Sequence, residues 1–257
     1  MNTKRTAAMI GYELKNICGN VFSLLFGVIF PIFMSAIIGN VAMKDIPEAA
    51  KTEVHTTLFL SMSLIIPMSI MFISYAANFG QELEAKVPIR LQLYGFTGRQ
   101  LLTYRLIAYM IFNLFGHIVY SVSALFILQI HAPKIGALVL TSVLYLLLGM
   151  IFLVIAHAIA YSIQKFGASY GVTMIIYFAL MFTSGMMGMR PEQLPEGVAM
   201  VARLLPTYHF AYDYVDFWMG KSYSFAPLIQ AFITIGAFAA LLFIGAQWYR
   251  RRKGVTL

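Results

Sequence analysis

The charges in this chain are confined to short zones. Between them lie six stretches with no Asp, Glu, Lys or Arg: 16–43, 54–81, 106–133, 135–164, 166–189 and 222–249. An α-helix rises about 1.5 Å per residue, so about 20 residues cross the hydrocarbon of a bilayer, and each stretch is long enough. Composition agrees. Of 257 residues, 60% are hydrophobic and 11% charged, and mean hydropathy is +0.79. An average soluble domain carries about 25% charged residues. An ordinary soluble enzyme, a secreted disulfide scaffold and a disordered regulator are excluded.

The pattern predicts an all-α integral membrane protein, a single transmembrane domain over 1–257. Its spans are read as 21–43, 57–79, 107–130, 136–162, 168–188 and 227–248. Spans three and four turn at His131-Ala132-Pro133-Lys134, and spans four and five at Gln164-Lys165-Phe166-Gly167. Two connections are long, 80–106 and 189–226. Six spans put both termini on one side. That side collects 12 of the 18 Lys and Arg, four of them in the tail Arg250–Lys253, and the other side 6. The excess of basic residues in loops on the cytoplasmic face places both termini in the cytoplasm, with a loop at 80–106 on that face and one at 189–226 outside. A net charge of +8 is thereby explained by a membrane rather than by nucleic acid. The lone Cys18 forms no internal disulfide, and no N-x-S/T sequon is present, which suits a bacterial chain.

Three segments outside the spans are informative. Over 1–19, Ala7, Ile10, Leu14 and Ile17 follow helical spacing opposite Lys4, Arg5 and Lys15, which predicts a helix lying in the membrane surface. Within 80–106, a short helix around 84–94 mixes charges with apolar residues, Gly95 and Gly98 supply a turn, and the next helix begins near Gly98-Arg99. In 189–226, Val198, Val201 and Leu205 share a face of a short helix that starts after Pro195 and ends at Pro206. Tyr208, Tyr212, Tyr214 and Trp218 suit the headgroup level.

Catalytic chemistry finds no constellation. The six stretches hold no ionisable pair, and His117 and His157 read as hydrogen-bonded packing. H-E-x-x-H is absent, and Ser184-Gly185 has no histidine in span six to serve as its base. Gly220-Lys221-Ser222 ends like a phosphate-binding loop, but the first glycine of that loop is replaced by Val215. Gly167 and Gly171 predict a close backbone approach at span five. Met186, Met187 and Met189 cluster in sequence with Phe178 and Phe182, as lipid-facing or packing groups or as an adaptable apolar surface.

This organisation resembles the membrane subunit of a type-2 ABC exporter, the ABC-2 transporter permease superfamily. The stretch Gln81-Glu-Leu-Glu-Ala-Lys…Arg90-Leu-Gln-Leu-Tyr-Gly-Phe-Thr-Gly-Arg-Gln-Leu-Leu102 is similar to the family's coupling segment, although Tyr94-Gly95-Phe96 stands where many members have a Pro-containing turn. The amphipathic start and the Pro195…Leu204-Leu205-Pro206 stretch resemble its interface helix and outer-loop helices. The resemblance implies that Glu82, Glu84, Arg90, Leu91, Gly95, Gly98 and Arg99 dock a separate ABC ATPase, which would carry ATP and Mg, with no cofactor, metal or catalytic site in this chain. It implies a second permease subunit, identical or not, in the plasma membrane. It places Met68, Met71, Phe72, Phe178 and Phe182 on a translocation path. The absence of charge in the spans suggests an amphipathic or hydrophobic cargo such as a drug, peptide or lipid-like molecule. A secondary transporter or channel, and a membrane enzyme or scaffold without an ATPase, are the alternatives.

Overall fold

The chain is almost entirely helical because its apolar stretches can satisfy their backbone hydrogen bonds in lipid only as helices. The structure is a computed structural model and describes residues 3–42, 46–186 and 193–252. Helix α1 (Thr3–Cys18) ends at Gly19, and the Asn20 side chain caps α2 (Val21–Val41) by accepting from Phe22 N at 2.9 Å. Then follow α3 (Glu48–Glu84), the short α4 (Val87–Leu93), α5 (Gly98–Ile127), α6 (Ile135–Ile163) and α7 (Phe166–Thr183). Three short helices come next, α8 (Glu196–Arg203), α9 (Pro206–Tyr212) and α10 (Tyr214–Trp218), before α11 (Ala226–Arg252). Six of these, α2, α3, α5, α6, α7 and α11, are long and apolar enough to cross a membrane.

The six expected spans are present, but three of the helices, α3, α5 and α11, run past their charge-free stretches. The expected span 57–79 is the helix Glu48–Glu84, and 107–130 is Gly98–Ile127. The expected loop 80–106 therefore contracts to a turn, α4 and a second turn over 85–97. Glu82 and Arg105 consequently lie inside helices that cross the bundle.

The helices are not equivalent. The most apolar window of α3 is 94% buried inside this one chain, against 22–39% for the other five. Helix α3 is the axis of the subunit: α2, α5, α6 and α7 pack against it, and α11 packs on the outside of α6. Its polar residues explain this: they point to all sides, and each side supplies a partner. Ser63 donates to the Tyr145 hydroxyl of α6 at 2.7 Å, and Tyr75 shares a 2.7 Å hydrogen bond with His157 Nδ1, also of α6. Ser74 bonds Ser23 of α2, and Asn78 donates to the Tyr109 hydroxyl of α5 at 2.9 Å. A helix polar on every face cannot face lipid, and buried polar groups need partners. The path around α3 is irregular: Pro67 has no N–H to donate, and the segment Met68–Ser74 directly after it is π-helical.

Close approaches of backbone occur at glycines other than the expected pair. A Cβ on Gly80 of α3 would lie 3.2 Å from the Phe166 Cα, and one on Gly116 of α5 would lie 3.1 Å from Ile66 and 3.5 Å from the Gly27 carbonyl oxygen. Gly167 and Gly171 have no atom within 4 Å of that position. The expected small-residue contact at span five is thus made from the α3 side.

At the end of the bundle away from both termini, α9 and α10 fold back on the start of α3. Pro206 does not end α8. Helix α8 stops at Arg203, and Pro206 occupies the first turn of α9, where its missing N–H costs nothing. Tyr214 and Trp218, expected at the headgroup level, are core: Tyr214 bonds Thr141 at 2.8 Å, and Trp218 Nε1 donates to the His131 carbonyl at 2.9 Å. Ser184 donates to Thr207 at 2.6 Å, which joins α7 to α9. Met187 and Met189, together with Lys44, Arg190 and Lys253, lie outside the described residues.

Candidate functional site at the basic end

The end of the bundle that holds both termini carries a structured apparatus. Helix α3 ends at Glu84, and Lys86 adopts a left-handed conformation (φ 55°) that turns the chain into α4. Pro88 sits in the first turn of α4, where it is tolerated. After α4, Gly95 (φ 80°) reverses the chain. Thr97 then opens α5 with a capping box: it accepts from Gln100 N at 3.2 Å, and the Gln100 side chain accepts from Thr97 N at 3.0 Å. The chain between the two long helices is therefore a rigid elbow.

The elbow presents a defined outer surface. Arg90 and Arg99 are exposed, as are Ile89, Leu93 and Tyr94, the last two at 84% and 77%. Leu91 and Gly98 are half-buried, and Gly95 is exposed. Glu84 is exposed and accepts from Phe166 N at 3.3 Å, which ties the elbow to the start of α7. Glu82 differs from the other expected site residues. It is buried, and Arg105 of α5 and Asn16 of α1 occupy its carboxylate, so it has little surface to offer a partner protein.

Beneath the elbow lies a cluster that sequence reading missed. The Arg105 guanidinium bonds both Glu82 and Glu13, reaching Glu13 at 3.1 Å, and packs 4.7 Å from the Phe79 ring centroid. All three charged residues are buried. Asn16 donates to Glu82 at 3.0 Å, and Asn20 donates to Asn78 at 2.6 Å. One polar network thus joins α1, α3 and α5. Burial pushes the Glu13 carboxyl up to about 7; the Arg105 charge opposes that rise and the Glu82 charge adds to it. The buried face of α1 carries Ile10, Glu13, Leu14 and Ile17, while Ala7, expected on that stripe, is exposed. A signal was available. Glu13 stands three residues after Ile10 and four before Ile17, on the apolar stripe itself, and a charge there calls for a buried partner. Arg5 of α1 then reaches the elbow directly, donating to the Tyr94 carbonyl at 2.6 Å and lying 4.0 Å from the Phe96 ring centroid.

The expected path residues separate. Met68, Met71 and Phe72 are 0% exposed, held at the centre of the subunit because α3 is its axis, and they have no accessible surface. Phe178 is 49% exposed on the outside of α7, and Phe182 is half-buried. His157 is hydrogen-bonded as expected, whereas His117 stacks on Tyr145 at 4.9 Å with its Nε2 unpartnered. Among the described residues no group of three His, Cys, Asp or Glu is placed to hold a metal ion.

No curated protein matches the chain. A family model does, described as ABC-2 family transporter protein, over residues 40–248. That match takes in α3 through most of α11, including the elbow and the Glu82–Arg105 half of the buried cluster. With six apolar helices, α3 at their centre, the chain is a multi-pass membrane protein, and it belongs to the ABC-2 family of transporter proteins as a transmembrane permease.

Proposed function

We propose that this chain is the membrane-spanning half of an ATP-driven exporter, with ATP and Mg bound by a separate ABC ATPase that docks on the elbow. The observation that carries this reading is the elbow itself: a short helix held by caps and turns at the junction of α3 and α5, with Arg90, Arg99, Ile89 and Leu93 turned outward. A push on α4 is delivered to α3, the axis of the bundle, and to α1 through Arg5. In this reading Glu84, Arg90, Leu91, Gly95, Gly98 and Arg99 form or shape the docking surface, and Glu82 is a positioning residue behind it. The basic end faces the cytoplasm, because the excess of Lys and Arg lies there.

A second permease subunit completes the transporter in the plasma membrane. The cargo path then lies between subunits, on outer faces such as that of Phe178 and Phe182, and not through the buried core of α3. The apolar character of those faces, where Val172, Ile175 and Phe178 are exposed, fits an amphipathic or hydrophobic cargo.

The test is affinity purification of the tagged chain from its native membrane in mild detergent, with mass spectrometry of what accompanies it. The expected result is a stoichiometric ABC ATPase, reduced about tenfold or more by Arg90→Glu, since a reversed interface charge repels where it attracted. The Arg90→Glu chain should insert and purify as before, because Arg90 is exposed. A chain that emerges alone, or one whose ATPase is indifferent to Arg90→Glu, overturns the docking role. Transport driven by an ion gradient without ATP would establish a secondary transporter instead.

A further inference from the structure

At the basic end, a groove of about 920 Å³ runs between α6, α7 and α11. Ile159, Ile163, Val172, Leu241, Leu242 and Ala246 line it. Its floor is left open by Gly245, which has no atom within 4 Å of where a Cβ would stand. Two cations, Lys165 and Arg250, line the same groove. Arg250 is only 8% exposed and lies 5.8 Å from the Tyr161 ring centroid, yet among the described residues its Nε–H has no hydrogen-bond partner. A buried guanidinium donor without an acceptor is costly, so the site is built for a ligand that supplies one.

The position defines that ligand. Leu241 is 69% exposed, so the groove opens where the other membrane-spanning helices meet lipid. From Leu241 to Arg250 the axis of α11 rises about 14 Å, the reach of a good part of an acyl chain. A second copy of this chain is a poor occupant, because it lacks the acid to answer Arg250. Among the described residues, the acids at this end are Glu13 and Glu82, both buried on Arg105, and Glu84, which caps Phe166 N. The acids Glu48, Glu53, Glu196, Asp213 and Asp216 belong to the opposite end.

We propose that the α6–α7–α11 groove binds one anionic phospholipid, its phosphate held by Arg250 and Lys165 and an acyl chain lying along α11 over Gly245. The ligand is a lipid and not a free phosphate, because beyond the two cations and the polar Ser162, Gln164 and Tyr249 the walls are apolar and of no use to a small anion. A bound lipid there bridges α7 to α11.

The full-length chain, purified in mild detergent, is incubated with phosphatidylglycerol or with phosphatidylcholine and weighed by native mass spectrometry. The wild type should retain one phosphatidylglycerol per chain in preference to phosphatidylcholine. Gly245→Phe, which fills the groove from an unobstructed position, and Arg250→Gln, which removes the guanidinium, should each lower that retention by about tenfold or more. Gly245→Ala should not. Should Arg250→Gln fail to purify, Gly245→Phe and Lys165→Gln carry the test. Retention unchanged in Gly245→Phe, equal retention of the two lipids, or a bound inorganic phosphate with no lipid mass would each overturn the proposal. So would loss of a second copy of the chain, in place of lipid, from Gly245→Phe.

Discussion

Replacing Arg105 with Met should be among the most damaging single changes available at the basic end. Met keeps the length of the side chain and much of its packing, so the loss is electrostatic. The guanidinium is the hydrogen-bond donor to the Glu13 carboxylate, and on Glu82 it leaves only the Asn16 amide when it goes. At about 3 Å, with an effective dielectric of about 20, each contact is worth about 5 kcal/mol of attraction, most of it offset by the cost of taking the charges out of solvent. Removing one partner keeps that cost and forfeits the attraction, which gives a net loss of about 3–5 kcal/mol. For a chain of this size that is a fall of about 10 °C in Tm. The assay is thermal unfolding in detergent at pH 8, above the value of about 7 at which Glu13 loses its proton, followed by intrinsic fluorescence. The decisive comparison is the triple variant Glu13→Gln, Arg105→Met, Glu82→Gln, which leaves no uncompensated charge and should recover most of the loss. An Arg105→Met protein within about 1 kcal/mol of wild type, or a triple variant as unstable as the single, would refute the claim that Arg105 neutralises two buried carboxylates.

Three further outcomes follow from the same structure. Glu13 holds its proton up to about pH 7 when folded and up to about 4.5 when unfolded, so between those values the folded chain binds the proton that the unfolded chain releases; stability should fall as pH rises through that window, by about 3 kcal/mol in total, and level off above it. Unfolding scans at pH 5 and pH 8 should show that fall in wild type and a clearly smaller one in Glu13→Gln. Gly80→Val should cost about 1–3 kcal/mol by the same scans, because even its Cβ would meet the Phe166 backbone at 3.2 Å and α7 would have to move, whereas Gly171→Val, with nothing within 4 Å, should be tolerated. Arg5→Ala should change stability by less than about 1 kcal/mol yet speed amide exchange over α4, since it removes an exposed bond to Tyr94 and a ring contact with Phe96.

The number, order and approximate limits of the membrane-crossing helices were legible in the sequence because lipid imposes one requirement everywhere: no charge for about 20 residues. The elbow was legible for a different reason, since Gly95 and the Thr97-Gly98 start of α5 are local signals. The buried cluster was not. Its members stand at 13, 82 and 105: Glu82 and Arg105 each border a charge-free stretch and read as the first residue outside the membrane, and Glu13 lies in the charged segment that ends at Lys15. Only the tertiary packing of α1 against α5 reveals that they face one another. The central place of α3 was hidden by its hydropathy, which resembles that of its neighbours. The distinguishing mark is the distribution of Ser63, Ser69, Ser74, Tyr75 and Asn78 around its circumference, where a lipid-facing helix would keep one side clean. Tyr214 and Trp218 went astray through a related ambiguity. A ring with one polar atom suits a headgroup and suits equally a core with a waiting partner, and here Thr141 and the His131 carbonyl were waiting.

The π-helical turn at Met68–Ser74 has a consequence for how α3 tolerates change in length. In an α-helix, deleting one residue rotates everything beyond it by about 100° and would turn Tyr75, Asn78 and Glu82 away from His157, Tyr109 and Arg105 together. A π turn already holds one residue more than its α counterpart. Removing a single residue between Met68 and Ser74 lets the segment relax to α geometry while the helix on either side keeps its phase. This short stretch is therefore the one place on the axis of the bundle where the chain can lose a residue and leave every polar contact on both sides in register.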